Sequence, residues 1–216
     1  MYDLHTHTLL SDGELLPSEL LRRMHVLGYS TVAITDHGDR TNITHILKKL
    51  ENLRPSAEEI GIRFLSGIEL THVPPSEIGL LAGLAKREGA EIVVVHGETS
   101  VEPVAAGTNH AACISPDVDI LAHPGLITEE DAILAEENEI ALEITARGGH
   151  NRTNGHVVRV AQKTGCMMVI NSDAHKPGDL MSAQERSIVG LGAGIGLEEV
   201  ETILTLKANR FYHRFM

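Results

Sequence analysis

Two short motifs near opposite ends of the chain, Asp3-Leu4-His5-Thr6-His7 and Asn171-Ser172-Asp173-Ala174-His175, each set two metal-ligand side chains two residues apart. On a β-strand such residues share a face, so each pair aims at a single point. Both pairs close a short apolar run, where a strand hands over to its loop. A site that uses both must be built across the whole fold. Four other β-branched runs finish in the same way: Thr31 to His37, Arg63 to Glu69, Ile92 to His96 and Val118 to His123.

Strand-like runs at about 2–7, 31–36, 63–69, 91–96, 118–123, 140–145 and 167–173 alternate with helical patterns, the signature of repeated βα units with parallel strands. Pro17 to Gly28 opens with a first-turn proline and stops at glycine, and Thr128-Glu129-Glu130-Asp131 has the form of a capping box. Asn42 to Leu53, Ser76 to Glu88, Gly155 to Thr164 and Leu197 to Ala208 carry amphipathic spacing, while Val101 to Cys113 reads as a loop with one short helix. A doubly wound open sheet would gather its ligands in one crevice, whereas a barrel arranges the C-terminal strand ends as a ring around one mouth. Histidine and carboxylate at nearly every strand end favour the α/β barrel.

The 216 residues suit one domain spanning 1–216, near the lower limit for a closed barrel. A net charge of −12 argues against an extended nucleic-acid surface, although bound cations let an acidic protein hold a phosphate. No run has transmembrane length and none reads as a signal segment, so a cytoplasmic protein without a membrane partner is expected. Cys113 and Cys166 sit in apolar surroundings and read as small core residues, not a disulfide. Of the thirteen histidines, His25, His45, His110, His156 and His213 fall in helical or surface patterns and read as ordinary surface or half-buried residues. His72 and His150 lie in loops just beyond strand ends, where each either touches substrate or is solvated.

Taken in order, Asp3-Leu-His-Thr-His-Thr8, Ser11-Asp-Gly13, Thr35-Asp-His-Gly38, Gly67-Ile-Glu69, His96-Gly97, Ala122-His-Pro-Gly125 and Ser172-Asp-Ala-His175 resemble the polymerase-and-histidinol-phosphatase (PHP) family of metal-dependent phosphoesterases. The resemblance covers almost the whole chain. It implies a distorted seven-stranded TIM-like barrel, (β/α)7, with up to three divalent metals. His5 and His7 would bind the first metal with Asp173. Glu69 would bridge to a second, held by His96 and His123, and Asp12, His37 and His175 would bind the third. The mixed imidazole and carboxylate set independently suits zinc, manganese or iron better than magnesium or calcium.

Asp3, deeper on the His5 face, is expected to orient an imidazole. Asp36 either does the same or caps a helix, and Glu143 is open between an inward-pointing acceptor and a residue with no role. Catalysis then needs no serine or cysteine nucleophile. A cation-activated water attacks phosphorus, and Asp12, His37 and His175 mark the neighbourhood that protonates the leaving alkoxide. Arg147 and Arg152, in the loop after the sixth strand, are the candidate phosphate contacts, with Lys176, directly after His175, and Arg40 weaker candidates of the same kind. The leading expectation is a hydrolase of a small phosphomonoester, histidinol-phosphate-like or a nucleotide. The alternatives are a phosphodiesterase or 3′–5′ exonuclease, and a non-catalytic subunit of a larger assembly.

Overall fold

The computed structural model describes residues 1–205. Seven parallel strands form a nearly closed barrel: β1 (Tyr2–Asp3), β2 (Thr31–Ile34), β4 (Arg63–Leu70), β5 (Ile92–His96), β6 (Ile120–Ala122), β7 (Ala141–Thr145) and β8 (Met168–Asn171), hydrogen-bonded in that order. The two-residue β3 (His37–Gly38) continues the line of β2 and pairs with β4 through His37 opposite Glu69. The first and last strands meet through a parallel bridge between Thr6 and Ala174, with His7 N donating to Ala174 O at 2.9 Å and Asp173 N to His5 O at 3.0 Å.

Helices α1 (Pro17–Val26), α2 (Ile43–Glu51), α3 (Arg54–Ile60), α4 (Ile78–Arg87), α5 (Thr108–Cys113), α6 (Glu129–Glu137), α7 (Asn154–Thr164), α8 (Ala183–Gly192) and α9 (Leu197–Thr205) fill the connections. The Thr128 hydroxyl accepts from Asp131 N, as its capping pattern requires. The end of the expected Leu197 to Ala208 helix lies outside the described residues, as does His213. None of the described helices is long and apolar enough to cross a membrane. Cys113 and Cys166 are free and buried.

Regular pairing in the first strand stops at Asp3 instead of running to His7, because the next amides turn to side chains: Leu4 N donates to Asn171 Oδ1 and His5 N to Asp3 Oδ1. Strand alternation builds the rest of the barrel in two levels. Leu65 on β4, Ile92 and Val94 on β5, Ile120 on β6, Ala141 on β7 and Val169 on β8 form one buried apolar cluster. A larger cluster fills the space between sheet and helices and includes the intervening residues Val93 and Val95. Continuing the inward positions toward the strand ends reaches Glu69, four residues beyond Leu65, and His96, Glu143 and Asn171, each two residues beyond the plug. The chemistry therefore rests on an apolar plug.

Candidate metal centre

Each side chain at the mouth is set by where its strand ends. Glu69 projects near the end of β4, His96 closes β5, His123 follows β6, and Asp173 and His175 follow β8. Asp12 arrives on a tight loop that Asp36 holds in place. That buried carboxylate accepts from Thr8 N at 2.8 Å, Thr8 Oγ1 at 2.7 Å and Ser11 Oγ at 2.7 Å, so it anchors the loop instead of capping a helix. Gly13 closes the same loop, and a Cβ there would lie 2.6 Å from the His7 carbonyl oxygen.

All nine residues expected as ligands converge. His5 Nε2 is 3.4 Å from Glu69 Oε1 and 3.8 Å from Asp173 Oδ1, and His7 Nε2 is 3.6 Å from Glu69 Oε2 and 3.3 Å from Asp173 Oδ1. His123 Nε2 stands 3.6 Å from both Glu69 and Asp173, and the His96 and His123 rings meet edge to face at 4.5 Å. The Asp12 carboxylate lies between His37 and His175, 3.4 Å from Nε2 of each. Glu69 is central to the cluster, within 3.6 Å of His5, His7, His37 and His123.

The electrostatics follow from this crowding. Burial favours a neutral imidazole at His5, but Glu143, Glu69 and Asp173 outweigh it and hold the ring well above the ordinary histidine range. Burial likewise opposes His37, yet Glu69 and Asp12 raise it to about 10. Burial pushes Asp173 up to about 7, against the pull of His5. Glu69 and Asp12 are held well below the carboxylate range despite burial, the first by His5 and His37 and the second by His175 and His37. His123 is lowered by burial and by its neighbour His96.

Two observations indicate that divalent cations fit here. His7 Nδ1, Glu69 Oε1 and His123 Nδ1 are buried with no hydrogen-bond partner, a costly arrangement for groups that can instead donate electron pairs to a metal. His123 and Asp173 also have φ of 30° and 51°, in the left-handed region that non-glycine residues rarely adopt. Glu143 points into the barrel and has a clear role. Its Oε1 receives His5 Nδ1 at 2.8 Å and Asn171 Nδ2 at 2.9 Å, and its Oε2 receives His123 N at 3.2 Å, which turns His5 Nε2 toward the centre. Asp3 acts on backbone instead, accepting from His5 N and Ser172 N.

The candidate substrate contacts separate. Arg147 lines the mouth, a cavity of about 260 Å³, and also an adjoining cavity of about 490 Å³ that it shares with Ser172, Lys176 and Asp179. Its Nη1 donates to Asp179 Oδ2 at 3.3 Å, the same oxygen that accepts from His175 N. Arg152 does not belong with them. It is exposed in the short helical turn His150–Thr153 just before α7 and lines a separate groove with Asn151 and Ile188, while His150 of the same turn is buried. Arg40 is exposed and paired with Glu77.

Of the histidines read as ordinary, His110 pairs with Asp131 and His156 with the Ile127 carbonyl. His72 and His150 do reach the mouth, and they bring Glu102, a residue that periodicity could not find because it lies in the irregular segment between β5 and α5.

A PHP-domain family model matches residues 3–172. An uncharacterized protein of Methanocaldococcus jannaschii is 50% identical over 207 residues, covering 94% of each chain. Ribonuclease P protein component 3 of Methanosarcina barkeri is 30% identical over 217 residues, covering 94% of this chain and 83% of its own. A protein provisionally described as a phosphatase from a Thermoanaerobacter species is 27% identical over 213 residues, covering 89% and 86%.

Proposed function

We propose, from the premise that this chain belongs to the PHP-domain family, that it is a metal-dependent phosphoesterase acting on a small phosphomonoester, either a phosphorylated metabolite of the histidinol phosphate kind or a nucleotide. The observation that carries this reading is the convergence of six imidazoles and three carboxylates at the strand ends of one barrel mouth. His5, His7 and Asp173 would hold one cation and His96 and His123 a second, with Glu69 between them. Asp12, His37 and His175 would hold a third, and zinc, manganese or iron(II) matches this donor set. Such cations supply an activated water and neutralise charge on the phosphate oxygens.

The chain's own groups do the rest. Glu143 fixes the His5 ring so that its Nε2 faces the centre. Arg147, once released from Asp179, presents its guanidinium to the terminal phosphate oxygens. The leaving alkoxide departs on the side of Asp12, His37 and His175, where the Asp12 carboxylate is open to solvent. A mouth of about 260 Å³ flanked by Arg147 suits a compact, doubly charged monoester better than a threaded strand.

The likeness to a ribonuclease P component over 94% of this chain supports a second reading, a non-catalytic subunit of a ribonucleoprotein. One assay separates them. Protein loaded with Mn²⁺ or Zn²⁺ and checked for metal content is given an aryl phosphate monoester, the matching diester, and a panel of phosphometabolites and nucleotides. Faster monoester turnover is expected. Preference for the diester moves the assignment to a phosphodiesterase, and no turnover by the loaded protein favours the subunit.

A further inference from the structure

His72, Glu102 and His150 stand at the mouth, yet none belongs to the nine residues used above. The Glu102 carboxylate reaches in from the segment between β5 and α5. Its Oε2 is 3.2 Å from His96 Nε2 and 3.2 Å from His72 Nε2, and its Oε1 is 3.3 Å from His150 Nε2. His150 lies with its ring centroid 4.4 Å from that of His123. One ligand atom each from His96, His123 and His150 all fall within 4.8 Å of one another, and all three residues are buried.

A hydrogen-bond network alone does not account for this grouping. His123 and His150 each leave Nδ1 buried with no hydrogen-bond partner, although His150 is only 7% exposed. A buried imidazole nitrogen without a partner is destabilising unless something accepts its electron pair. His96 keeps its Nδ1 3.2 Å from the Gly97 carbonyl oxygen, which commits Nε2 to the mouth. Three imidazoles, with Glu102 against His96 and His150 and Glu69 against His123, would give this cation a mixed donor set that suits zinc and leaves no position free. Closed sets of four protein ligands hold a metal without reactivity, whereas catalytic sites keep one position free.

Building on the metal-centre reading above, we infer that His150 and Glu102 are further ligands of the cation held by His96 and His123, with Glu102 the displaceable one. His150 is buried and anchored by the short helical turn His150–Thr153, so it is the permanent ligand. Glu102 is exposed on an irregular segment, and its carboxylate offers the same oxyanion chemistry as a phosphate oxygen. With a cation bound, a phosphate oxygen would compete with the Glu102 carboxylate for it, and His72, 3.2 Å from Glu102 Oε2, would hold the displaced carboxylate at the rim. Glu102 thus sets how strongly an oxyanion must bind in order to enter.

The test compares wild type with Glu102→Gln, His150→Ala, His150→Gln and His96→Ala. Each is stripped of metal, titrated with Zn²⁺ by calorimetry, and loaded with Co²⁺, whose visible absorption intensity reports coordination number. Both His150 variants are expected to weaken one class of Zn²⁺ site by about tenfold or more, the range in which removing a metal's protein partners is felt. Glu102→Gln is expected to lower the Co²⁺ coordination number and to bind inorganic phosphate several-fold more tightly. The inference is overturned if both His150 variants bind Zn²⁺ as wild type does, or if Glu102→Gln leaves both the Co²⁺ spectrum and phosphate affinity unchanged. His96→Ala keeps the outcomes distinguishable: if it loses an ion while the other variants do not, only this inference fails, and if it loses nothing, the metal-centre reading fails with it.

Discussion

The two levels of the barrel interior are made by the same strands and have opposite character. Below, Leu65, Ile92, Val94, Ile120 and Val169 are at most 1% exposed and present no polar atom. Higher on the same inward faces stand Glu69, His96, Glu143 and Asn171, also buried but ionisable or polar, with unpartnered atoms and left-handed backbone at the neighbouring His123 and Asp173. The lower level supplies stability through transfer of apolar surface. The upper level holds buried carboxylates and imidazoles that oppose folding unless something compensates them. Stability and function are therefore separable along a single strand.

The sharpest way to break this comparison is to mutate both levels of neighbouring strands. Glu69→Ala or His7→Ala is expected to cut phosphoester hydrolysis by at least ~10²-fold while circular dichroism still reports a folded protein, since each removes a cation's partner and no core side chain. Ile92→Ala is expected to cost about 2–5 kcal/mol in denaturant unfolding, with the folded fraction still active. If Glu69→Ala unfolds the chain, or retains more than a few per cent of activity when fully loaded, the division into levels is wrong.

A smaller effect is expected at Glu143, which touches His5 from below. Glu143→Gln keeps the shape but loses the charge that orients the ring, so metal affinity measured by chelator competition should fall about 10–100-fold. Unchanged affinity would place Glu143 with the plug instead.

At the rim, Arg147→Ala should weaken inorganic phosphate binding by roughly 1.5–3 kcal/mol, with Lys restoring only part, because a lysine keeps the charge and loses the planar fork. Kinetics on a matched monoester and diester pair should show the larger loss for the monoester. Equal losses would mean that Arg147 does not clamp a terminal phosphate.

The smallest signal is a proton count. His5 and His37 lie above their ordinary range, so both carry protons at neutral pH, and Asp173, at about 7, is partly protonated there. Metal ligation requires neutral imidazole and ionised carboxylate. Cation binding should therefore release protons, and affinity should fall as pH is lowered. Calorimetry in buffers of different ionisation enthalpy measures the release, and its absence would mean that these groups do not ligate.

What the sequence disclosed follows the same division. The strand ends were legible because alternation and β-branched runs carry a period of two, so the residue pattern by itself puts His5, His7, His96 and Asp173 on inward faces at one mouth. Helix α8 was not. Gly190 and Gly192 dilute its apolar stripe, and its buried face carries Arg186, which lies over the Tyr2 ring at 4.4 Å. The capping box in which Ser182 and Glu185 bond each other's backbone was the signal that could have found it. Helix α3 was hidden by Pro55, which reads as a break but occupies an early helical position. Glu102 and His150 sit in irregular segments, where no periodicity relates a residue's number to its direction. Arg152 shows the same limit from the other side, since nothing local signals that it is exposed while His150 of the same turn is buried.

Compensation of the upper level by cations is tested most directly by the melting temperature of wild type and Glu69→Ala, each measured in chelator and with saturating Mn²⁺ or Zn²⁺. Wild type should melt several degrees higher with metal, as binding to the folded state alone requires. Glu69→Ala, relieved of a buried carboxylate and deprived of its bridge, should gain much less. An equal metal-induced rise in both proteins, or none in wild type after verified loading, would contradict the claim that this mouth is a metal centre organised around Glu69.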